Sequence, residues 1–103
     1  MAGKEPGKGV PYRLTPRAES DLEEIWLYTF KTWSPQQADR YHNDIVDVFE
    51  GLAAGRKTGR PVDVRDGYFK YPAGSHLVFY RLADDGLVVV RVLHKRMDVE
   101  RHL

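Results

Sequence analysis

His76-Leu-Val-Phe-Tyr-Arg-Leu-Ala-Asp-Asp-Gly-Leu-Val-Val-Val-Arg-Val-Leu-His94-Lys-Arg-Met97 decides the fold. Two runs of aromatic and β-branched residues flank a short polar turn, the pattern of a β-hairpin. A three-residue loop, Asp84-Asp85-Gly86, fits best, because Gly86 can take the positive φ that a G1 bulge needs. That loop predicts Arg81 opposite Val89, Phe79 opposite Arg91 and His76 opposite His94. Alternation then puts Val78, Tyr80, Leu82, Val88, Val90 and Val92 on one face with both histidines. Leu77, Phe79, Leu87, Val89 and Leu93 share the other face with Arg81 and Arg91. A sheet apolar on both sides needs cover on both. The chain's own helices are expected to hide one side and leave the other as a docking surface.

Upstream of the hairpin, the sequence supplies those helices. Pro11 to Leu14 reads as a first strand. Thr15-Pro16 then opens a helix, with threonine as cap and proline in the first turn. Ala18, Leu22, Ile25, Thr29 and Trp33 form its apolar stripe, which Trp26 and Phe30 widen. Ser34-Pro35-Gln36-Gln37 is a capping box that starts a second helix, with Ala38, Tyr41, Ile45, Val48, Phe49 and Leu52 at helical spacing. Gly55 is its expected stop. So short a connection implies an antiparallel helical hairpin. Residues 55–67 read as a basic loop with little core content. Tyr68 to Tyr71 form the next strand, and Pro72-Ala73-Gly74-Ser75 turns it into the hairpin. Asp98 is placed to cap a short final turn. The predicted order is β-α-α-β-β-β with a short C-terminal tail. This is an α+β domain, with the helical hairpin packed on a mostly antiparallel four-stranded sheet. Residues 1–10 read as a flexible lead and 11–103 as a single domain.

With 103 residues, 42% of them hydrophobic and 30% charged, the chain has the composition of one ordinary globular domain. It contains no cysteine, so disulfides and thiolate metal sites are excluded, which suits the cytoplasm. No apolar run approaches a membrane span, and the polar start does not read as a signal peptide. The net charge of +1 hides an asymmetry: residues 15–55 carry a net −5 and residues 56–103 a net +4. There is no His-x-x-x-His pair or carboxylate cluster for a metal and no P-loop for a nucleotide, so no cofactor is expected. Both long helices are acidic or mixed, and direct DNA binding by the chain alone is not expected.

Three blocks together resemble a known family. They are Tyr12-Arg13-Leu14-Thr15-Pro16-Arg17-Ala18 with Asp21-Leu22-Glu23-Glu24-Ile25-Trp26, then Gly74-Ser75-His76-Leu77-Val78-Phe79-Tyr80-Arg81. The third runs Val90-Arg91-Val92-Leu93-His94-Lys95-Arg96-Met97-Asp98 and ends on Arg101-His102-Leu103. In this order they resemble the ParE branch of the RelE/ParE toxin superfamily, across about Tyr12 to Leu103. The resemblance implies a toxin that traps DNA gyrase on cleaved DNA and is neutralised by a ParD-type antitoxin. It implies a binder and not an enzyme. The RelE branch shares the fold but cuts messenger RNA on the ribosome. Such a nuclease would draw on His76, His94, Arg96 and His102 for proton transfer and phosphate charge.

For the antitoxin, an exposed sheet edge is expected to accept a strand and the helical hairpin an amphipathic helix. The expected contacts are Trp26, Phe30, Tyr41 and Phe49 in the groove, with Arg81, Arg91 and Arg96 meeting acidic antitoxin residues. Gyrase contact is expected from His94, Lys95, Arg96, Met97, Arg101 and His102. The plainer reading of the two central histidines is a cross-strand pair at the core edge.

Overall fold

The computed structural model describes residues 10–103. The expectation for residues 1–10 therefore falls, Val10 apart, outside the described residues. Val10 donates its amide to the Ala53 carbonyl, and β1 (Tyr12–Leu14) follows. Next come α1 (Pro16–Thr32), α2 (Pro35–Ala53), β2 (Arg60–Pro61), β3 (Tyr68–Ala73), β4 (His76–Ala83), β5 (Gly86–His94) and α3 (Val99–His102). The sheet has five strands, not four, in the order β1-β5-β4-β3-β2, with β1 parallel to β5 and the other pairs antiparallel.

The helices start where their caps require. Thr15 Oγ1 accepts the Ala18 amide at 3.1 Å and donates to the Val90 carbonyl at 2.9 Å, so one side chain both caps α1 and ties it to β5. Ser34 Oγ accepts the Gln37 amide at 3.0 Å with Pro35 in the first turn of α2. The helical hairpin covers one sheet face. Ala18, Leu22, Ile45 and Phe49 pack there against Val78, Tyr80, Leu87, Val89 and Val92.

The register differs from the sequence expectation in an instructive way. The turn is two residues, Asp84-Asp85, and Ala83 pairs with Gly86. Gly86 does take a positive φ, +142°, but the glycine is needed for space as well: a β-carbon there would collide with the Pro11 carbonyl, which accepts the Leu87 amide at 3.0 Å. The tighter turn slips the pairing by one residue, so Arg81 faces Val88 and Tyr80 faces Val89. A one-residue slip exchanges the faces. Leu87 and Val89 therefore join the helix side, and Val88 and Val90 leave it. A β-bulge between Phe79 and Tyr80 leaves Val90 without a partner and restores the expected pairs Phe79 with Arg91 and His76 with His94.

The far face is not left bare. Val62, Phe79 and Leu93 form a second buried cluster, closed by Tyr68, Leu77, Val90, Val99 and Leu103. Phe79 is fully buried. The segment between β2 and β3 supplies Val62, and the C-terminal turn supplies Val99 and Leu103. Arg65 joins these two covers, with its guanidinium over the Tyr68 ring and bonded to the Leu103 carbonyl. Two expectations are thereby corrected. Residues 55–67 do contribute to a core, and an apolar docking face opposite the helices is absent among the described residues. The apolar surface that remains lies mainly on α1, where Leu27, Tyr28, Phe30 and, just past its end, Trp33 are exposed.

Candidate functional site

Three places gather the residues that the sequence singled out. The first is an open cleft of about 760 Å³ between α1 and α2, lined by Glu19, Leu22, Glu23, Trp26, Leu27, Asp39 and His42. Residues 19, 23, 26, 27 and 30 fall on the flank of α1 beside its core stripe, at helical spacing. Trp26 Nε1 donates to Asp39 Oδ1 at 3.0 Å, and its ring stacks on Phe30 at 5.2 Å with an interplanar angle of 9°. Trp26 thus lines the cleft with Phe30 stacked on it, and neither widens the core. Phe30 is 41% exposed, and Trp33, expected in the core stripe, is 72% exposed.

The other two groove candidates are elsewhere. Phe49 is only 1% exposed, packed against Tyr12 at 5.8 Å in the helix-side core, so no partner reaches it. The reason is its position on the α2 face that meets the sheet. Tyr41 faces the β3–β4 turn. The sequence reading also passed over Glu19, Glu23, Leu27, Asp39 and His42. Their only signal was proximity in helical phase to the apolar stripe, which ordinary surface residues share.

The second place is centred on Tyr41. Its hydroxyl accepts the Ser75 amide at 2.9 Å, and its single proton serves His76 Nδ1 at 2.7 Å or the Ala73 carbonyl at 3.1 Å. Gly74, at φ +61°, lets the ring come this close, because a β-carbon there would strike it. The His76 and His94 rings meet edge to face at 5.2 Å. Burial and then the neighbouring His94 push the His76 pKa down to about 4, against a smaller opposing effect of Asp21. At neutral pH His76 is uncharged, with Nδ1 engaged by Tyr41. Burial likewise raises the Tyr41 hydroxyl above its ordinary value.

The third place is the C-terminal segment after β5. Lys95 donates its amide to the Ser75 carbonyl at 3.0 Å, and the Arg96 amide donates to His94 Nδ1 at 3.1 Å. The side chains of Lys95, Arg96 and Met97 are left exposed. Asp98 caps α3 by accepting the Glu100 amide, and His102 Nδ1 lies 3.0 Å from the Asp98 carbonyl. Of the four nuclease candidates, the fold brings His76 and His94 into contact and seats Arg96 by its backbone beside them. It holds the His102 ring on its own short helix.

The two arginines of the hairpin differ sharply. Arg91 is fixed: Nε and Nη2 donate to Asp21 at 2.8 and 2.9 Å, and Nη1 donates to the His102 carbonyl at 3.0 Å. Both side chains of the pair are only 12% exposed. Those hydrogen bonds raise the Arg91 pKa above its ordinary value. Its charge is spent on joining α1, β5 and α3, and it is not free for an antitoxin. The carboxylate that holds it is Asp21 on α1. Arg81, opposite Tyr68 and Val88, has no ion-pair partner among the described residues. The expected docking edge is also blunt: β2, at one side of the sheet, is two residues long and contains Pro61.

Among the described residues no cluster of three histidines or carboxylates is arranged for a metal ion, and no helix is long and apolar enough to cross a membrane.

A family model described as the ParE toxin of type II toxin–antitoxin systems, parDE, matches residues 12–99. Toxin ParE1 of Mycobacterium tuberculosis is 46% identical over 94 residues, covering 89% of this chain and 96% of that protein. Toxin ParE1 of Caulobacter vibrioides is 38% identical over 94 residues, covering 90% and 97%. Among solved structures, the chromosomal ParDE TA system from P. aeruginosa contains a chain of TM-score 0.75 at 20% identity, covering 85% of this chain and 98% of that one. The toxin-antitoxin complex RelBE2 from M. tuberculosis contains one of TM-score 0.62 at 22% identity, covering 84% and 99%. At these identities the structural likeness is one of fold.

Proposed function

The chain belongs to the ParE toxin family of type II toxin–antitoxin systems, and from that premise we propose that a ParD-type antitoxin holds it inactive and that DNA gyrase is its target. On this reading the protein acts in the cytoplasm by binding, and replication stops because gyrase is held on DNA.

The observation that carries the antitoxin part is the α1–α2 cleft. An amphipathic helix laid along it would bury Trp26, Leu27 and Phe30, which the chain's own residues leave partly or largely exposed. The cleft walls carry Glu19, Glu23 and Asp39, so the segment seated there carries lysine or arginine beside its apolar anchors. Acidic antitoxin residues were expected at Arg81, Arg91 and Arg96, a different part of the surface from this cleft. The name of the P. aeruginosa structure, a ParDE system, supports a ParD-type partner.

For the target, the exposed Lys95, Arg96 and Met97 offer a compact basic segment held by backbone bonds to Ser75 and His94, with Arg101 and His102 on the adjoining turn. Catalysis is the poorer reading. With its pKa near 4, His76 is a neutral imidazole at pH 7 and not the imidazolium that a general acid needs, and its Nδ1 is occupied by the Tyr41 hydroxyl.

Purified protein is tested in gyrase supercoiling and DNA-cleavage assays, beside ribosome-dependent cleavage of messenger RNA. Inhibited supercoiling with accumulated cleaved DNA and intact message is the expected result. Cut message with unaffected gyrase would replace this function with the RelE-type one.

A further inference from the structure

Helix charges suggested no affinity for DNA, but the register builds a basic surface from the strands. Side chains alternate, and Tyr80, Leu87 and Val89 point to the helices, so Arg81 and Val88 point away from them. β1 runs in register with β5, which sets Arg13 beside Val88 on that far face. One row across four strands therefore reads Arg13, Val88, Arg81, Tyr68. The neighbouring row brings Lys70 opposite Phe79, with Arg60 opposite Lys70 on the outer strand. Arg60 and Lys70 are directly paired positions, about 5 Å apart at Cβ, and Lys70 and Arg81 are diagonal neighbours at about 7–8 Å. Arg13 has an exposed partner, Asp85, at 3.3 Å. Arg60, Lys70 and Arg81 have no carboxylate within ion-pair distance among the described residues.

We propose that this far-face cluster over two adjoining rows, Arg60, Lys70 and Arg81, is a binding surface for the phosphate backbone of duplex DNA. Cations at these spacings can each neutralise a phosphate, since a duplex presents one charge per about 1.7 Å of axis. The opposite layer of the molecule is acidic, with a net −5 over residues 15–55. It is repelled by the same polyanion, so the field of the whole protein turns the far face toward DNA. The choice of duplex DNA over other polyanions rests on the gyrase reading, in which DNA is the polyanion at hand. The cationic row itself does not depend on it. The toxin would then grip the DNA that gyrase holds as well as the enzyme.

The test uses the full chain and a labelled 20-base-pair duplex without gyrase, read by fluorescence anisotropy. Three phosphate contacts give a log–log salt slope of about −2.7, or about 40-fold weaker binding at 200 mM than at 50 mM salt. The double variant Lys70→Gln/Arg81→Gln is expected to lower the slope by about two, and Arg60→Gln alone by about one. Lys31→Gln, on the exposed side of α1, should change nothing. Circular dichroism of each variant checks that the fold is kept. Absence of duplex binding, binding insensitive to these variants, or tighter binding to polyglutamate or single-stranded RNA would overturn the proposal. Because gyrase is absent, its outcome is separate from that of the supercoiling assay. If DNA binds as expected while supercoiling is unaffected, the surface stands and the gyrase reading falls.

Discussion

The two faces of the sheet are closed by different means. On the helix side, two long helices bring Ala18, Ile45 and Phe49 onto Val78 and Val89, which are fully buried. On the far side, a loop residue, Val62, and the short C-terminal turn close over Phe79 and Leu93, and Arg60, Lys70 and Arg81 stand on the same face. The first face is built from elements with strong local signals of their own. The second is built from short segments that have no core until the sheet assembles. A small domain can therefore use one face entirely for stability and reserve part of the other for a charged partner.

If the far-side cluster is a true core, Phe79→Ala should destabilise as much as Phe49→Ala, each by about 3–5 kcal/mol. Urea unfolding measures both. A cost below about 1 kcal/mol at Phe79 alone would mean that the loop and C-terminal turn close the face only loosely. The largest polar effect is expected where the two faces are tied together. Asp21 on α1 holds Arg91 and also accepts the Val92 amide at 3.0 Å. Asp21→Ala leaves a nearly buried guanidinium without its counter-charge, at a cost of about 3 kcal/mol. The double variant Asp21→Ala/Arg91→Met should recover part of this, because no stranded charge remains although the Val92 amide still lacks its acceptor.

These tests also separate what the sequence made legible from what it did not. Thr15, Ser34 and Asp98 act as the caps read from sequence, because capping depends on residues three or fewer positions away. The hairpin was legible for a similar reason, but the expected meeting of His76 with His94 holds only because the bulge between Phe79 and Tyr80 cancels the slip at the turn. The slip at Asp84-Asp85 was not legible. Pro11 crosses Gly86 from the other end of the chain and selects the tighter turn, a contact between distant segments that no local pattern reports. The cleft was half legible: aromatic residues at 26 and 30 stood out, but a tryptophan at helical spacing reads as core when its partner helix is unknown. Phe49 misled by the same logic in reverse. Its periodicity placed it on the correct stripe of α2, and that stripe faces the sheet.

A pH difference between the two ends of the hairpin sharpens the contrast further. His76 is half-buried and has its pKa lowered from 6.5 to about 4 by burial and His94. The unfolded chain binds this proton below about 6.5 and the folded chain only below about 4. Stability is therefore intact above 6.5, falls as pH drops through that window, and levels off below it. Discounted for the ring's partial exposure, the loss is about 1–2 kcal/mol. Carboxylates titrate over part of the same range, so the informative quantity is the difference from His76→Gln. That variant should be less stable at pH 7, through loss of the Tyr41 bond, yet have a shallower decline between pH 6.5 and 4. Parallel curves would mean that the imidazole is as easily protonated in the folded protein as in the unfolded one.

The smallest expected effect is the one that bears on whether the far face is reserved for a partner. Arg60, Lys70 and Arg81 have no ion-pair partner among the described residues. Replacing any one of them by glutamine should change unfolding free energy by no more than about 0.5 kcal/mol. Set against the Asp21→Ala cost, this would separate a charge used inside the fold from charges left outside it. The contrast has a direction that can fail. If Arg81→Gln cost more than about 1 kcal/mol, its stem would be the lid over buried Val88. The cationic row would then be explained by packing, and a role for it at a polyanion would need the DNA titration to stand without help from stability.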